Sequence, residues 1–219
     1  MNSRLTSSLI NLTILVSGAT VLAIELATAR LLGAVFGTSN IVWASIIGLV
    51  LIYLAGGYYI GGYWADYNPS FLTFYQIAAW AAFLSGLLPF AAKFILPLLT
   101  GLALPLTVSV ILALLLLLAV PIVLLGCISP FAIRLMLTTP QEAGHVSGNI
   151  YAISTLGSVI GSLAPVLYML PSLGTSTTYT IFSCALLLTA LFALAQYDKQ
   201  QTLRLLWMPL VVVLLATVL

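Results

Sequence analysis

From Leu9 almost to Leu219 the chain is a succession of long apolar runs, parted by short breaks that carry Pro, Gly, Asn or a charge. Within the runs polarity does not alternate, so they fit helices rather than the strands of a membrane barrel. A helix needs about 20 mainly apolar residues to cross a bilayer, and in lipid only helices and closed barrels satisfy their own backbone groups. The breaks predict seven spans: Leu9 to Leu32, Ile41 to Trp64, Phe71 to Phe90, Leu106 to Leu135, Val146 to Leu170, Thr178 to Gln196 and Leu203 to Leu219. The expected fold is therefore an all-α polytopic membrane bundle, a single transmembrane domain over residues 1–219. The fourth run exceeds what a membrane about 30 Å thick requires and carries Pro121, Gly126 and Pro130, which predicts a bent helix that projects beyond the bilayer. Before it, Phe94 to Pro105 is apolar but interrupted by Pro97, Gly101 and Pro105, and is expected to lie at the interface or to re-enter.

Composition narrows the picture. Only 5% of the residues are charged, and mean hydropathy is +1.24, whereas a soluble domain carries roughly a quarter charged residues. The first 32 residues are too long an apolar stretch for a signal peptide and contain Glu25 and Arg30, so they read as a retained first helix. A net charge of +2, scattered along the chain, points away from nucleic acid as a partner and leaves the lipid bilayer as the expected one. Cys127 and Cys184 have no CxxC spacing and read as small core residues. Arg4, Arg134, Lys199 and Arg204 fall at the ends that share a side with the N terminus, against Arg30 and Lys93 at the other. That balance places the N terminus in the cytoplasm, in a bacterial or archaeal inner membrane.

Internal similarity suggests two units. At a constant offset of 109, Asn40, Ile41, Ser45, Gly48, Val50, Leu54, Ala55 and Tyr59 match identical residues in the fifth span, and Ala23, Ile24 and Leu26 match Ala132, Ile133 and Leu135. A three-helix unit repeated in one chain must be inverted, a common transporter plan with its site between the repeats. The units run over about 9–92 and 104–196, with an extra helix over about 203–219. Seven helices leave a cavity open to completion by a homodimer through the glycine-bearing faces.

Candidate chemistry is sparse. Glu25 lies deep in the first span, where a carboxylate costs several kcal/mol unless paired, hydrated or protonated. It either serves a cation or proton facing a cavity, or forms a hydrogen-bond post between helices. In the fifth span Asn149, Tyr151, Ser154, Thr155 and Ser158 recur at helical spacing, a stripe that either lines a hydrated solute or proton path or bonds across to neighbours. Gly57 with Gly61, and Gly157 with Gly161, form GxxxG pairs that allow close helix packing, as does Gly144 with Gly148. Asp66 and Arg134 fall on one side of the membrane, together with Glu142 and His145, and an Asp66–Arg134 pair would make a cytoplasmic gate; the bland alternative is interfacial charge. No P-loop, HExxH, nucleophile elbow or GxGxxG occurs, so no catalytic residue, cofactor or metal is expected.

The strings VSGATVLAIELATARLLGAVFGTSN, GLVLIYLAGGYYIGGYWAD, PIVLLGCISPFAIRL and GHVSGNIYAISTLGSVIGSLAPVLYMLPSLGTSTT resemble, in that order, the membrane half of transmembrane spermidine synthase-like proteins. The GYWAD segment also resembles the second-to-third loop of major facilitator transporters, without the basic residues that usually follow the acid. The resemblance implies a major-facilitator-like helical region. The family's soluble aminopropyltransferase domain has no counterpart among these residues, so enzymatic activity is not implied. Two functions are expected: a permease-like module for a small, polyamine-like cation, or a non-catalytic subunit docking a separate aminopropyltransferase-like protein or a larger membrane complex.

Overall fold

The computed structural model describes residues 3–218, with the side chains of residues 5–217. The Arg4 side chain and Leu219, both used above, lie outside that description. The described residues form helices joined by short turns, with no strand among them, and seven segments are long and apolar enough to cross a membrane. In order they are α1 (Ser3–Phe36), α2 (Asn40–Tyr67), α3 (Phe71–Gly101) and α4 (Leu106–Met136), then α5 (Ala143–Ala164), which continues through a π-turn at Pro165–Met169 into the short α6 (Leu170–Ser172). The sixth crossing is α7 (Thr175–Ala195), and the seventh combines α8 (Lys199–Leu205) with α9 (Trp207–Val218).

Local chemistry accounts for most boundaries. Ser39 caps α2 by accepting from the Val42 amide, and Asp198 caps α8 by accepting from the amides of Gln200 and Gln201. Gly174, at φ +84°, supplies the left-handed turn between α6 and α7. The segment from Phe94 to Gly101 departs from expectation. It neither re-enters nor lies flat, because α3 runs unbroken through Pro89 and Pro97 to Gly101. Proline removes one backbone bond and crowds the preceding turn, but neighbouring helices can hold such a helix together in a membrane. In α5 the loss of a donor at Pro165 coincides with a slip of the backbone register into the π-turn, a feature absent from the sequence expectation.

The helices form three ranks. α3 packs on α7; in front of them α1 packs on α7 and α4 on α3; outermost, α5 packs on α1 and α2 on α4. α9 lies against α3 and α7. Buried hydroxyls join the inner ranks: Thr28 and Tyr179 share a 2.6 Å hydrogen bond, and Ser183 donates to the Ala82 carbonyl. Because α5 and α2 are covered on one side only, they present long apolar faces outward, including Leu51, Tyr59, Tyr63, Leu167 and Tyr168. The molecule is an integral membrane protein, and these faces belong in lipid or against another membrane protein.

Candidate functional site

Two glycine seams fix the centre of the bundle. α2 and α4 run parallel, with Gly57 against the Val123 carbonyl, Gly61 against Cys127 and Gly126 against the Leu54 carbonyl. α1 and α5 do the same, with Gly157 against the Leu15 carbonyl, Gly161 against Ala19 and Gly18 against the Ser154 carbonyl. A Cβ on any of these six glycines would meet partner backbone within 3.0 Å. The contacts correspond one to one. Residues 15, 18 and 19 of α1 stand where 123, 126 and 127 of α4 stand, a shift of 108, while 54, 57 and 61 of α2 stand where 154, 157 and 161 of α5 stand, a shift of 100. Three crossings separate equivalent helices, so the two halves run in opposite senses.

This corrects the constant offset of 109. The stretch from Val123 to Gly157 is eight residues shorter than that from Leu15 to Gly57, so no single offset serves both helices. Nine residues are two and a half helical turns, which carries an aligned position to the opposite face. Gly48, matched to Gly157 by the offset of 109, accordingly has nothing within 4 Å of a built Cβ. Gly144 and Gly148 also face open space, contrary to the packing expected of them. The seam glycines Gly57, Gly61, Gly157 and Gly161 join helices of one chain, which leaves them unable to join two copies as expected above.

A cavity of about 110 Å³ lies where α1, α2, α4 and α5 meet. Its walls include Ser17 and Val21 from α1, Leu54 and Tyr58 from α2, Leu125 and Ser129 from α4, and Ser154 and Ser158 from α5. The shifts of 108 and 100 pair eight of the ten lining residues, Ser17 with Leu125, Val21 with Ser129, Leu54 with Ser154 and Tyr58 with Ser158, while Gly18 and Leu22 have no mate in the wall. The cavity therefore sits on the local two-fold axis between the repeats. The chemistry of its wall is asymmetric, because each serine is paired with a larger and less polar mate across the axis. Ser158 Oγ donates to the Gly18 carbonyl at 3.2 Å. At about 30 Å³ per water the space holds roughly three or four molecules, far below the 300 Å³ or more of an ordinary ligand pocket.

The structure divides the stripe read from the fifth span. Ser154 and Ser158 line the cavity, whereas Asn149, Tyr151 and Thr155 lie on the exposed face of α5, where Thr155 Oγ1 bonds back to the Tyr151 carbonyl at 2.8 Å. Glu25 follows Val21 and Leu22 by one helical turn, on the face of α1 that lines the cavity. It is partly buried and has no hydrogen bond or ion pair among the described residues. Ser17, Ser129 and Tyr58 escaped sequence reading. As isolated hydroxyls in apolar helices they carry no periodic signal, and only the true register of the repeats brings them together.

Asp66 and Arg134 do meet, with Arg134 Nε donating to Asp66 Oδ1 at 3.0 Å. The pair joins the ends of α2 and α4, helices already held backbone to backbone by glycine, so breaking it would not part the walls of the cavity. Both side chains are well exposed, and such pairs contribute about 0–1 kcal/mol. Asp66→Asn is accordingly expected to lower thermal stability in detergent only slightly, with the difference vanishing in high salt; a large, salt-independent loss would contradict this. Nearby, Glu142 accepts from Thr138 and His145 is exposed. No group of three His, Cys, Asp or Glu side chains able to hold a metal occurs among the described residues.

No protein-family model matches the chain, and no curated protein or solved structure does so either.

Proposed function

We propose that this chain is a permease-like module that passes a small organic cation, polyamine-like in carrying primary ammonium groups, and that the axial cavity is the closed form of its solute site. One observation carries the reading: a hydroxyl-lined space lies on the axis that relates two inverted repeats. Inverted halves allow two packings of similar energy that open the same point to opposite sides, and transporter sites commonly lie at such a repeat interface. An ammonium group offers three donors and no acceptor, which suits serine hydroxyls and helix carbonyls. Glu25, one turn further along α1 and without a partner among the described residues, would supply the countercharge as the cavity widens. In this reading the α2–α4 and α1–α5 pairs move as units, each held by its glycine seam, and Asp66–Arg134 adds only a weak contact at the cytoplasmic end of the first.

Kinship with the membrane half of transmembrane spermidine synthase-like proteins, a bacterial or archaeal inner-membrane setting with the N terminus inside, and the absence of any catalytic role belong to the same proposal. So does a homodimer, now through the outward faces of α2 and α5. Those faces also favour the second reading, a non-catalytic subunit docking an aminopropyltransferase-like enzyme or a larger complex, because in each of the two spans only 22% of the most apolar stretch is buried.

Uptake of radiolabelled putrescine and spermidine into proteoliposomes distinguishes them. The permease reading expects saturable uptake that falls at least tenfold in Glu25→Gln with normal insertion. Undiminished uptake in that variant removes Glu25 from the site. Absence of uptake by the native protein, with recovery in a stable complex after mild extraction, establishes the docking role instead.

A further inference from the structure

The axial cavity has a floor and two walls but no front. Ser17 and Val21 of α1, with Leu125 and Ser129 of α4, form the floor and are buried, whereas Leu54, Ser154 and Ser158 on the walls are half-buried and Tyr58 is exposed. Because α2 and α5 do not pack on each other, the space continues between them to the outer surface of the bundle as a slot. Glu25 stands on the same side of α1, partly buried and without a hydrogen bond or ion pair among the described residues. Serine hydroxyls and a carboxylate are poorly matched to acyl chains. The slot therefore calls for a protein cover rather than lipid.

The residues beside the slot identify that cover. The shift of 100 relates Gly48 to Gly148, Ala55 to Thr155 and Gly62 to Ser162, and within each helix the three recur every seven residues, so each set forms one stripe of small side chains. A Cβ built on Gly48 or Gly148 meets nothing within 4 Å, so neither glycine serves a contact inside the chain. Small residues on an outward membrane face let another backbone come close. α2 and α5 run in opposite directions and carry equivalent stripes. A two-fold axis along the membrane normal thus lays α2 of one copy antiparallel on α5 of the other, in a contact that closes on itself. α2 has 28 residues and is about 40 Å long, and two helices side by side are about 20 Å wide. The shared face is then about 800 Å² per copy, the size of a standard stable interface.

We infer that a second copy of this chain covers the slot, that the two axial cavities merge into one chamber on the two-fold axis, and that the two Glu25 carboxylates hold the two ammonium ends of a single linear diamine. This rests on the permease reading above and adds to it the form of the solute and its ratio, one diamine per two chains. A monoamine engages one carboxylate and leaves the other unpaired. A diamine engages both, and its second attachment is intramolecular, which raises affinity without any new kind of contact.

Cross-linking in membranes tests the cover. Ala55→Cys and Thr155→Cys together put a thiol on each stripe, and copper phenanthroline is expected to convert that variant to a disulfide-linked dimer. Leu210→Cys, exposed on α9 at the back of the bundle, and the native chain are expected to stay monomeric under the same oxidant. Two measurements test the shared chamber. Equilibrium dialysis in detergent is expected to find one putrescine per two chains, bound about tenfold more tightly than butylamine. Heterodimers of one native and one Glu25→Gln chain, isolated through two affinity tags, should take up putrescine at least tenfold more slowly than native dimers. Separate sites would instead leave about half the rate. Absence of the cross-link, equal cross-linking through Leu210→Cys, half-active heterodimers, one putrescine per chain, or equal binding of butylamine would each overturn the inference. A chain that takes up putrescine as a monomer keeps the permease reading and loses the shared chamber. A cross-linked native dimer that takes up no amine loses the permease reading, and the bridging diamine with it.

Discussion

Replacing Gly161 or Gly57 with leucine is expected to abolish the folded protein, while Gly48→Ala and Gly144→Ala leave it intact. At Gly161 the added Cβ would fall within 3.0 Å of three backbone atoms of Ala19, and at Gly57 within 3.0 Å of the Val123 carbonyl and the Gly126 backbone. No flexible side chain can yield there, so an entire helix must move and the seam along its length must open. Overpacking in a core costs about 1–3 kcal/mol even where neighbours adjust, and a domain's whole margin is about 5–15 kcal/mol. Even Gly161→Ala should therefore cost more than about 2 kcal/mol. Gly48 and Gly144 face open space, where alanine is the better helix former by about 1 kcal/mol. Size-exclusion profiles and tryptophan-detected melting in one detergent give the readout. A folded Gly161→Leu beside a collapsed Gly48→Leu would restore the offset of 109 and sink the seams described here.

That contrast also marks what the sequence conveyed. Seven crossings were legible because lipid demands long uninterrupted apolar runs, a constraint written residue by residue. The spans begin and end within several residues of the helices, apart from α3, where the prolines predict a stop although packed neighbours hold the helix through them. Register was not legible. Apolar helices draw on a small alphabet, so Leu, Ala, Ile and Gly coincide at many offsets, and the connection lengths that shift one helix against the next leave no mark in the residues themselves. GxxxG pairs mark close approach but not the partner, and Gly57 could equally have faced another chain.

The same limit explains the site. Ser154 and Ser158 were visible because α5 repeats polar residues at helical spacing, but Asn149, Tyr151 and Thr155 share that spacing and point outward. A stripe wider than one face cannot say which edge turns inward. Ser17 and Ser129 are single hydroxyls among aliphatics, and their meaning is positional: each stands across the axis from a Leu or Val that fills the space its mate leaves. The asymmetry has a consequence for mechanism. A perfectly symmetric cavity would hold a cation equally from both sides, whereas here three of the four serines, Ser17, Ser154 and Ser158, belong to the α1–α5 pair. A solute would stay with that pair while α2 and α4 move past it.

Ser154→Leu follows as the substitution with the largest effect on transport and one of the smallest on folding. Its mate across the axis is Leu54, so the new residue repeats on one side what the fold already accommodates on the other. A leucine side chain exceeds serine by about two heavy atoms, enough to take up much of a space of about 110 Å³, and it replaces an oxygen with aliphatic carbon where an ammonium group would need an acceptor. Uptake in proteoliposomes is expected to fall at least 30-fold, a loss of more than about 2 kcal/mol in the bound or crossing state, while the melting temperature moves by only a few degrees. Ser154→Ala should fall between the two, losing the hydroxyl but not the space. The reciprocal change, Leu54→Ser, enlarges the cavity and adds an acceptor, and should retain or raise uptake of a larger amine despite a stability cost of about 2–5 kcal/mol for emptying a packed position. If Ser154→Leu transports as the native protein does, the axial cavity is a packing defect between repeats and the solute path lies elsewhere.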